Sequence, residues 1–236
     1  MNIPINIGPI AIGRIAIGTI AASVLAVASA PAVAVQAFSA DYEANAMGMQ
    51  GNGHMSIAAQ GDGRWQYTLA IKNSLVDLSQ STVFDEQDGW LRPLSSSDVS
   101  RLLVKKKAVN TSFDWGKNQA TWSGDVKPER AGPVALKTGD MDALLVNLAL
   151  VRDVTAGKPL NYRMVENGNA KPMNYRVVGK EKITIGGKSR DATKVSRTSG
   201  NKEIIVWVVP GMPVPARILQ REDGQDSIDL QVKSWH

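Results

Sequence analysis

The sequence lacks cysteine altogether and has only two histidines, His54 and His236, among its 236 residues. Zinc sites need several nitrogen or sulfur ligands, so we expect no transition-metal centre and no cofactor. A fold without cysteine depends on its core rather than on disulfide bonds. The same absence leaves no site for lipid attachment after an export signal, so the mature protein is expected to be soluble.

Acidic residues are missing from the first 40 positions, where Arg14 is the only charged side chain. The almost wholly apolar run Ile15–Ala30 follows, and small residues then lead to Ala34 and Ala37. This is the pattern that signal peptidase reads. We therefore predict a periplasmic protein with a signal peptide over residues 1–37, cleaved after Ala34 or, preferably, Ala37. An uncleaved anchor is the alternative, but a spanning helix needs about 20 apolar residues.

No later segment reaches the roughly 18 consecutive apolar residues of a membrane helix. Segments such as Arg190–Arg197 are too charged for the lipid-facing strands of an outer-membrane barrel. The net charge is +5, and the basic residues are dispersed except for the run Lys105–Lys107. Such a run is typical of a solvated strand edge or turn, and we predict no nucleic-acid partner. A weak attraction to anionic lipid head groups or polysaccharide is the functional alternative for the basic residues.

Turn sequences such as Asn167-Gly168 and Gly186-Gly187 recur at short intervals, and they supply the positive φ angles of tight hairpins. Between them, segments such as Arg64–Ile71 alternate in polarity, which predicts a sheet with one dry face. Ile204–Val209 is apolar on both phases, so this strand should be covered on both sides. Strands spaced by about 8–12 residues predict a mainly β sandwich, barrel or long meander, in one domain over residues 38–236.

One helix is predicted between two groups of strands, which cover about 38–124 and 160–235. Asp140 and Asp142 offer capping residues and place acid at the positive end of the helix dipole. The apolar run Ala143–Val151 follows. A helix that is apolar on most sides must be largely buried, and we place it across the concave face of a curved sheet.

Four features carry a resemblance: the first strand Phe38–Tyr42, a Trp-containing hairpin around Phe113–Trp115, the acid-capped helix Asp140–Val151, and the block Gly157–Ile218. Together they resemble a bacterial domain-of-unknown-function family of periplasmic proteins, numbered thirty-one zero eight, over nearly all of the mature chain. That family is similar in architecture to the carriers that move lipoproteins across the periplasm. The resemblance implies a strongly curved antiparallel sheet, an incomplete barrel, with one helix packed across its concave face. It implies no activity, since none is established for the family.

Groups suited to catalysis are few. A Ser-His-Asp group would have to use His54, and no G-x-S-x-G elbow supports one. Ser95–Asp98 is interpreted as a loop or exposed strand, and Gly186–Ser189 as a hairpin turn rather than a phosphate-binding loop. Capping explains Asp140 and Asp142 better than calcium binding does. We therefore expect no catalytic residue, no metal ligand and no enzyme.

The aromatic side chains are the remaining candidates, although Trp in a β domain is more often a core residue. A half-barrel closed by one helix encloses an apolar hollow, and small ligands bind in such hollows. Met47, Met49 and Met55 add adaptable apolar surface. The residues predicted to line the hollow as ligand contacts are Trp65, Tyr67, Trp90, Leu144, Leu148 and Trp207.

The function expected from these patterns is a non-enzymatic binding or carrier module of the cell envelope, whose partner is an apolar small molecule or an acyl chain. The alternative is a structural or assembly factor that acts on an envelope protein through an exposed sheet edge. A hollow of roughly 300 Å³ or more favours the carrier, whereas a hollow filled by side chains favours the assembly factor.

Overall fold

The computed structural model describes residues 35–46 and 48–236. The predicted signal peptide, apart from its last three residues, lies outside the described residues, as does Met47. Within the described part of the chain, no helix has the length and apolar character that crossing a bilayer requires.

The described residues form sixteen β-strands, one α-helix and a short 3-10 turn at Pro128–Arg130. The helix, α1, spans Ala143–Thr155. The strands are β1 (Phe38–Ala46), β2 (Met49–Gly61), β3 (Arg64–Lys72), β4 (Val76–Gln87), β5 (Trp90–Leu102), β6 (Lys105–Asp114), β7 (Gln119–Gly124), β8 (Val134–Ala135), β9 (Asp140–Met141), β10 (Asn161–Glu166), β11 (Asn169–Asn174), β12 (Arg176–Ile185), β13 (Lys188–Ser199), β14 (Lys202–Val208), β15 (Arg217–Glu222) and β16 (Gln225–Trp235).

Thirteen of these strands form one antiparallel sheet in the order β12-β13-β14-β15-β16-β1-β2-β3-β4-β5-β6-β7-β8. The order follows the chain except where the last strand pairs with the first, with Ala44 opposite Leu230 and Ala46 opposite Ile228. This pairing joins the first predicted group of strands to the later part of the second, β12–β16, in one sheet. β8 and β12 form the two edges, so the sheet curves without closing into a barrel. The predicted incomplete barrel is confirmed.

The concave face of the sheet carries the main core. Alternation along β3 places Tyr67, Leu69 and Ile71 on this face, where all three are buried. The same row continues across the sheet, because Met55 of β2 lies opposite Leu69 and also opposite Ala40 of β1. The alternation predicted for this strand from its sequence is confirmed.

The strand predicted to be covered on both sides, β14, is indeed buried from Ile205 to Val208. On its outer side, the hairpin β12–β13 curls back so that β12 contacts β16, although three strands separate them in the sheet order. Ile183 and Ile185 of this hairpin are buried, and the side-chain amide of Gln231 donates a hydrogen bond of 3.1 Å to the carbonyl of Thr184. This curl gives β14 its outer cover.

Helix α1 begins where the sequence predicts and extends to Thr155, four residues beyond the apolar run that ends at Val151. Asp142 is its N-cap, and its carboxylate accepts the Leu145 backbone N–H at 2.9 Å. Eight of its thirteen residues are buried. The helix contacts β3, β4 and β5 as well as the distant strand β14, so it lies across the hollow of the curved sheet.

A second sheet, which the sequence patterns do not predict, has the order β11-β10-β9. Its parallel pair sets Arg163 of β10 opposite Asp140 of β9, and the Arg163 guanidinium donates a hydrogen bond to the Asp140 carboxylate. Asp140 also accepts the Lys137 backbone N–H at 2.8 Å. Capping was therefore the wrong interpretation for Asp140, because its carboxylate is used to join β9 to β10, and only Asp142 caps the helix.

Candidate functional site

Helix α1 covers only part of the concave face. Its N-cap Asp142 accepts a hydrogen bond from the hydroxyl of Thr82, in the middle of β4, and Arg152 in its last turn donates to the Gly89 carbonyl, just beyond β4, at 3.0 Å. A helix of 13 residues is about 20 Å long, whereas the 12 residues of β4 span about 40 Å. We call the part of the concave side from Thr82 towards Gly89 the packed half, and the part from Thr82 towards Val76 the open half.

The open half contains a cavity of about 630 Å³. Strands from both ends of the chain form its floor, the first turn of α1 forms one side, and the small sheet contributes residues of β10 and β11. Its apolar lining consists of Leu69, Ile71, Leu78, Val99, Val109, Ala143, Leu144, Val146, Met164, Met173, Tyr175, Ile204, Ile218, Ile228 and Leu230.

The cavity opens at one end of the sheet. Because neighbouring strands are antiparallel, the turns that follow β1, β3, β5, β13 and β15 all lie at this end. Lys107, Lys202 and Glu222 stand next to three of these turns, are exposed to solvent, and line the cavity. The mouth is therefore a charged rim around an apolar interior.

A polar patch marks the boundary between the two halves, at the N-terminus of α1. Burial raises the pKa of Asp142 to about 6, although hydrogen bonds from Thr82 and from the Leu145 N–H lower it, and the nearby carboxylates of Asp98 and Glu166 raise it further. Burial also raises the pKa of Asp98. Asp142 and Asp98 therefore take up a proton more readily than exposed aspartates do.

Part of this patch lies in a segment for which the sequence left a loop and an exposed strand open, and the structure shows the strand. Ser95–Asp98 belongs to the long strand β5 and is not a loop, and Ser96 and Asp98 lie opposite Thr82 and Gln80 of β4. All four side chains line the small recess beside Asp142. The period-two spacing of Ser96 and Asp98 was the available signal, but polar residues on an inward face lack the apolar alternation by which strands are recognised.

The six residues predicted to contact a ligand do not come together around the cavity. Leu144 lines it. Tyr67 lies opposite Thr82 and is fully buried, and Trp65, one inward-facing position further into the packed half, lies opposite Phe84. Leu148 is buried in the core between α1 and the sheet. Tyr67, Trp65 and Leu148 therefore pack where the helix fills the hollow.

The other two predicted contacts lie further away. Trp90 stands at the opposite end of the sheet from the mouth, in an edge-to-face contact with Trp115 with ring centroids 5.1 Å apart. Trp207 lies on the outer face of the sheet. Ile218 lines the cavity, so the next residue in the strand, Arg217, points to the outer face. Trp207 lies opposite Arg217 and therefore points outward as well. The assignment of the six residues as ligand contacts stays a prediction, and of the six only Leu144 belongs to the cavity wall.

The internal histidine takes part in a Ser-His-Asp arrangement on the outer face of the sheet. His54 Nδ1 is 2.9 Å from Asp41 Oδ1, and His54 Nε2 is 3.5 Å from Ser39 Oγ. The group lies on β1 and β2, whose backbone amides are used in pairing with strands on both sides.

Metal ligands do not cluster in the part of the chain that the structure describes: it holds no group of three or more His, Cys, Asp or Glu side chains placed to bind an ion. The carboxylate of Asp142 is occupied by hydrogen bonds from the Thr82 hydroxyl and the Leu145 backbone N–H.

Fold and cavity together define the class of this protein: an open antiparallel half-barrel with one helix in its hollow and a cavity beside the helix. The chain belongs to the family described as "Protein of unknown function (DUF3108)", whose family model matches residues 38–231. The resemblance found from the sequence is thereby confirmed. No curated protein matches the chain.

Solved structures with similarity to this chain share little sequence with it. A beta-barrel-like protein of the domain of unknown function DUF1849 from Brucella abortus is 11% identical with a TM-score of 0.46, over 84% of this chain and 96% of that one. A crystal structure of MucB gives 10% identity and a TM-score of 0.35, over 85% of this chain and 52% of that one. The MucA/MucB complex of Pseudomonas aeruginosa gives 13% identity and a TM-score of 0.37, over 85% of this chain and 51% of that one. This chain spans about half the length of the MucB chains that it matches.

Proposed function

We propose that this protein is an exported, non-enzymatic binding or carrier module of the periplasm, which shelters an acyl chain or a similar lipid-like group. The observation that carries the proposal is the cavity of about 630 Å³ in the open half. Binding sites for small molecules measure about 300–1,000 Å³. A fully packed hollow, by contrast, would have favoured a structural role.

The walls of the cavity suit an amphipathic ligand better than a polar one. Its floor presents Leu69 and Ile71 of β3 and, on the far side of β2 and β1, Ile228 and Leu230 of β16. Each methylene group of a ligand buried against such a surface contributes about 0.8 kcal/mol. An acyl chain therefore has a physical reason to enter.

The rim supplies charge for a polar head group. Lys171 pairs with Glu166 at 3.3 Å, and Lys202 pairs with Glu222 at 3.4 Å. Lys107 lines the mouth as well and forms no ion pair within the described residues. An anionic head group at the mouth would thus find an exposed lysine that is not held in an ion pair.

Filling the cavity tests the proposal. Leu78→Trp places an indole in the open half, whereas Ser79→Trp, its matched control, places the same group on the outer face of the same strand. We expect the dissociation constant of the fluorescent fatty acid cis-parinaric acid to rise at least about tenfold for Leu78→Trp and to stay near the parent value for Ser79→Trp. Equal binding by both variants, or no binding by the parent, would overturn the proposal.

The second candidate, an assembly factor that works by strand addition, is favoured by one observation. Strand β12 is a ten-residue edge with a free side, and seven of its residues in a row, from Arg176 to Lys182, are exposed. Exposed edges of this length take up strands from partner proteins unless charge protects them. Lys180 and Lys182 provide such protection, which is why we rank this function second.

Crosslinking in intact cells separates the two candidates. A photoreactive residue at Val178 on the free edge should capture one envelope protein in high yield if β12 pairs with a partner strand. If the protein is a carrier, the same residue at Ile204 in the cavity wall should instead yield adducts with lipid.

A further inference from the structure

The tip of the β5–β6 hairpin exposes the longest run of large apolar side chains in the described part of the chain. Leu102, Leu103 and Val104 are 44%, 63% and 101% exposed. They are three of the five large apolar residues that are exposed in the described part of the chain, and they are consecutive. Contiguous exposed apolar residues mark a contact site more often than a scattered one does.

The backbone conformation at this tip is also unfavourable for an apolar side chain. Leu103 has φ of +55°, in the left-handed region. Every other residue with positive φ in the described part of the chain is Gly, Asp or Asn, the types that this conformation favours. A leucine here is disfavoured by conformation and by solvation together, so folding does not explain its presence.

Basic residues flank the apolar tip on both strands. Arg101 precedes it and Lys105, Lys106 and Lys107 follow it, and no acidic residue occurs between Asp98 and Asp114. None of the four basic side chains forms an ion pair within the described residues. An apolar tip flanked by basic side chains that are free of ion pairs matches the two signals of membrane-surface binding, apolar insertion and attraction to anionic lipid.

The tip stands beside the mouth of the cavity. Ser100 and Lys107 face each other across the hairpin and both line the cavity, and the hairpin continues two residue pairs beyond them. The neighbouring turn supports this extension, because the Leu103 N–H donates to the Leu75 carbonyl at 2.9 Å. A surface that held the tip would therefore face the cavity mouth.

We propose that this tip docks on an anionic lipid bilayer. Leu102, Leu103 and Val104 enter the interfacial region, and Arg101 with Lys105–Lys107 contacts the anionic head groups. Docking goes beyond the proposed function and does not depend on a ligand in the cavity, but it places the cavity mouth against the membrane, where an acyl chain could be exchanged.

Vesicle binding tests the proposal with the processed protein recovered from the envelope of its native host. The probe is vesicles of phosphatidylcholine with about 30 mol% phosphatidylglycerol, compared with pure phosphatidylcholine. In the variant Leu103→Asn/Val104→Gly, Asn tolerates the positive φ at position 103 and Gly adapts to any backbone at position 104, so the fold should be kept. We expect it to bind the anionic vesicles at least about tenfold more weakly than the parent.

A charge-matched pair separates the local effect from net charge. Lys105→Gln/Lys106→Gln removes two charges at the tip, and Lys158→Gln/Lys180→Gln removes two exposed charges elsewhere. We expect only the tip variant to lose binding, and we expect the parent to bind more weakly as salt is raised. Equal losses from both variants would overturn the proposal in favour of nonspecific charge.

The absence of cysteine allows a direct measurement of insertion. An environment-sensitive dye on Val104→Cys should shift to the blue with anionic vesicles, whereas the same dye on Lys117→Cys, in a turn at the opposite end of the sheet, should not. Failure of the parent to bind anionic vesicles would overturn docking, and so would a tip that instead joins two copies of the chain in solution. Neither result would affect binding of cis-parinaric acid, which tests the cavity separately.

Discussion

The two halves of the concave side share the same strands and yet are built differently. In the packed half, α1 lies on the sheet and side chains such as Leu145 and Leu150 are completely buried. In the open half, the same strands run on past the first turn of the helix, and Leu69, Leu78 and Ile218 surround a cavity. Helix α1 therefore fills the packed half with buried side chains, and because it is shorter than the strands it leaves the cavity in the open half.

The largest expected effect comes from two neighbouring leucines of α1. Leu145 is fully buried in the packed half, whereas Leu144 borders the cavity. Leu145→Ala should lower the free energy of unfolding by about 3–5 kcal/mol, because it opens a new void in a packed core. Leu144→Ala only enlarges an existing space, and we expect it to cost at least about 1 kcal/mol less.

Urea unfolding of both variants measures this difference, and the two substitutions alter helix propensity equally. If Leu145→Ala and Leu144→Ala lowered the free energy of unfolding equally, the two halves would not differ in packing.

The next effect concerns Asp142, at the boundary between the halves. Its pKa in the folded protein is about 6, above the ordinary value of 3.8, because of burial. The folded state therefore holds this proton more tightly than the unfolded state, so stability falls as pH rises from about 4 to about 6, by about 3 kcal/mol in total. Asp142→Asn keeps the cap and cannot ionise, so this part of the pH dependence should disappear.

The measurement is urea unfolding at several pH values between 4 and 7, with Asp62→Asn in an exposed turn as the matched control. The control should follow the parent. If the free energy of unfolding of Asp142→Asn changed with pH as in the parent, the Asp142 carboxylate would be exposed to solvent rather than buried.

The smallest expected effect concerns overpacking. Leu78→Trp extends into an existing cavity and should change the free energy of unfolding by less than about 1 kcal/mol. Leu150→Trp, in the packed half, has no free space and should cost about 1–3 kcal/mol or more. Thermal or urea unfolding of the two variants gives the comparison. A large loss in Leu78→Trp would show that the open half is as tightly filled as the packed half.

Local sequence patterns predict the elements of this fold well. The alternation of Arg64–Ile71, the paired apolar phases of Ile204–Val209 and the cap at Asp142 each depend on neighbours within a few residues, and each is confirmed. The pairing of Ala44 with Leu230 joins residues at opposite ends of the chain, and no short-range pattern encodes it. The small sheet is not predicted either, because its strand β9 has only two residues, too few to form a recognisable pattern.

The site is harder to predict, because it results from a difference in length between elements. Large aromatic residues such as Tyr67 and Trp90 are the obvious candidates for a ligand site, but they fill the packed half and the far end of the sheet. Helix α1 spans about 20 Å beside a strand β4 of about 40 Å, and the sequence patterns predict neither the length of β4 nor the position of the helix along it. Which end of the hollow stays open depends on where Asp142 meets Thr82, a contact across 60 residues.

The most direct test of the central claim, that the open half holds a lipid-like ligand, is native mass spectrometry of the processed protein purified without detergent from the envelope of its native host. The account predicts a population heavier than the polypeptide by the mass of a lipid or fatty acid, which is released when the protein unfolds and is reduced in Leu78→Trp. A uniformly ligand-free protein that also fails to bind added cis-parinaric acid would contradict it.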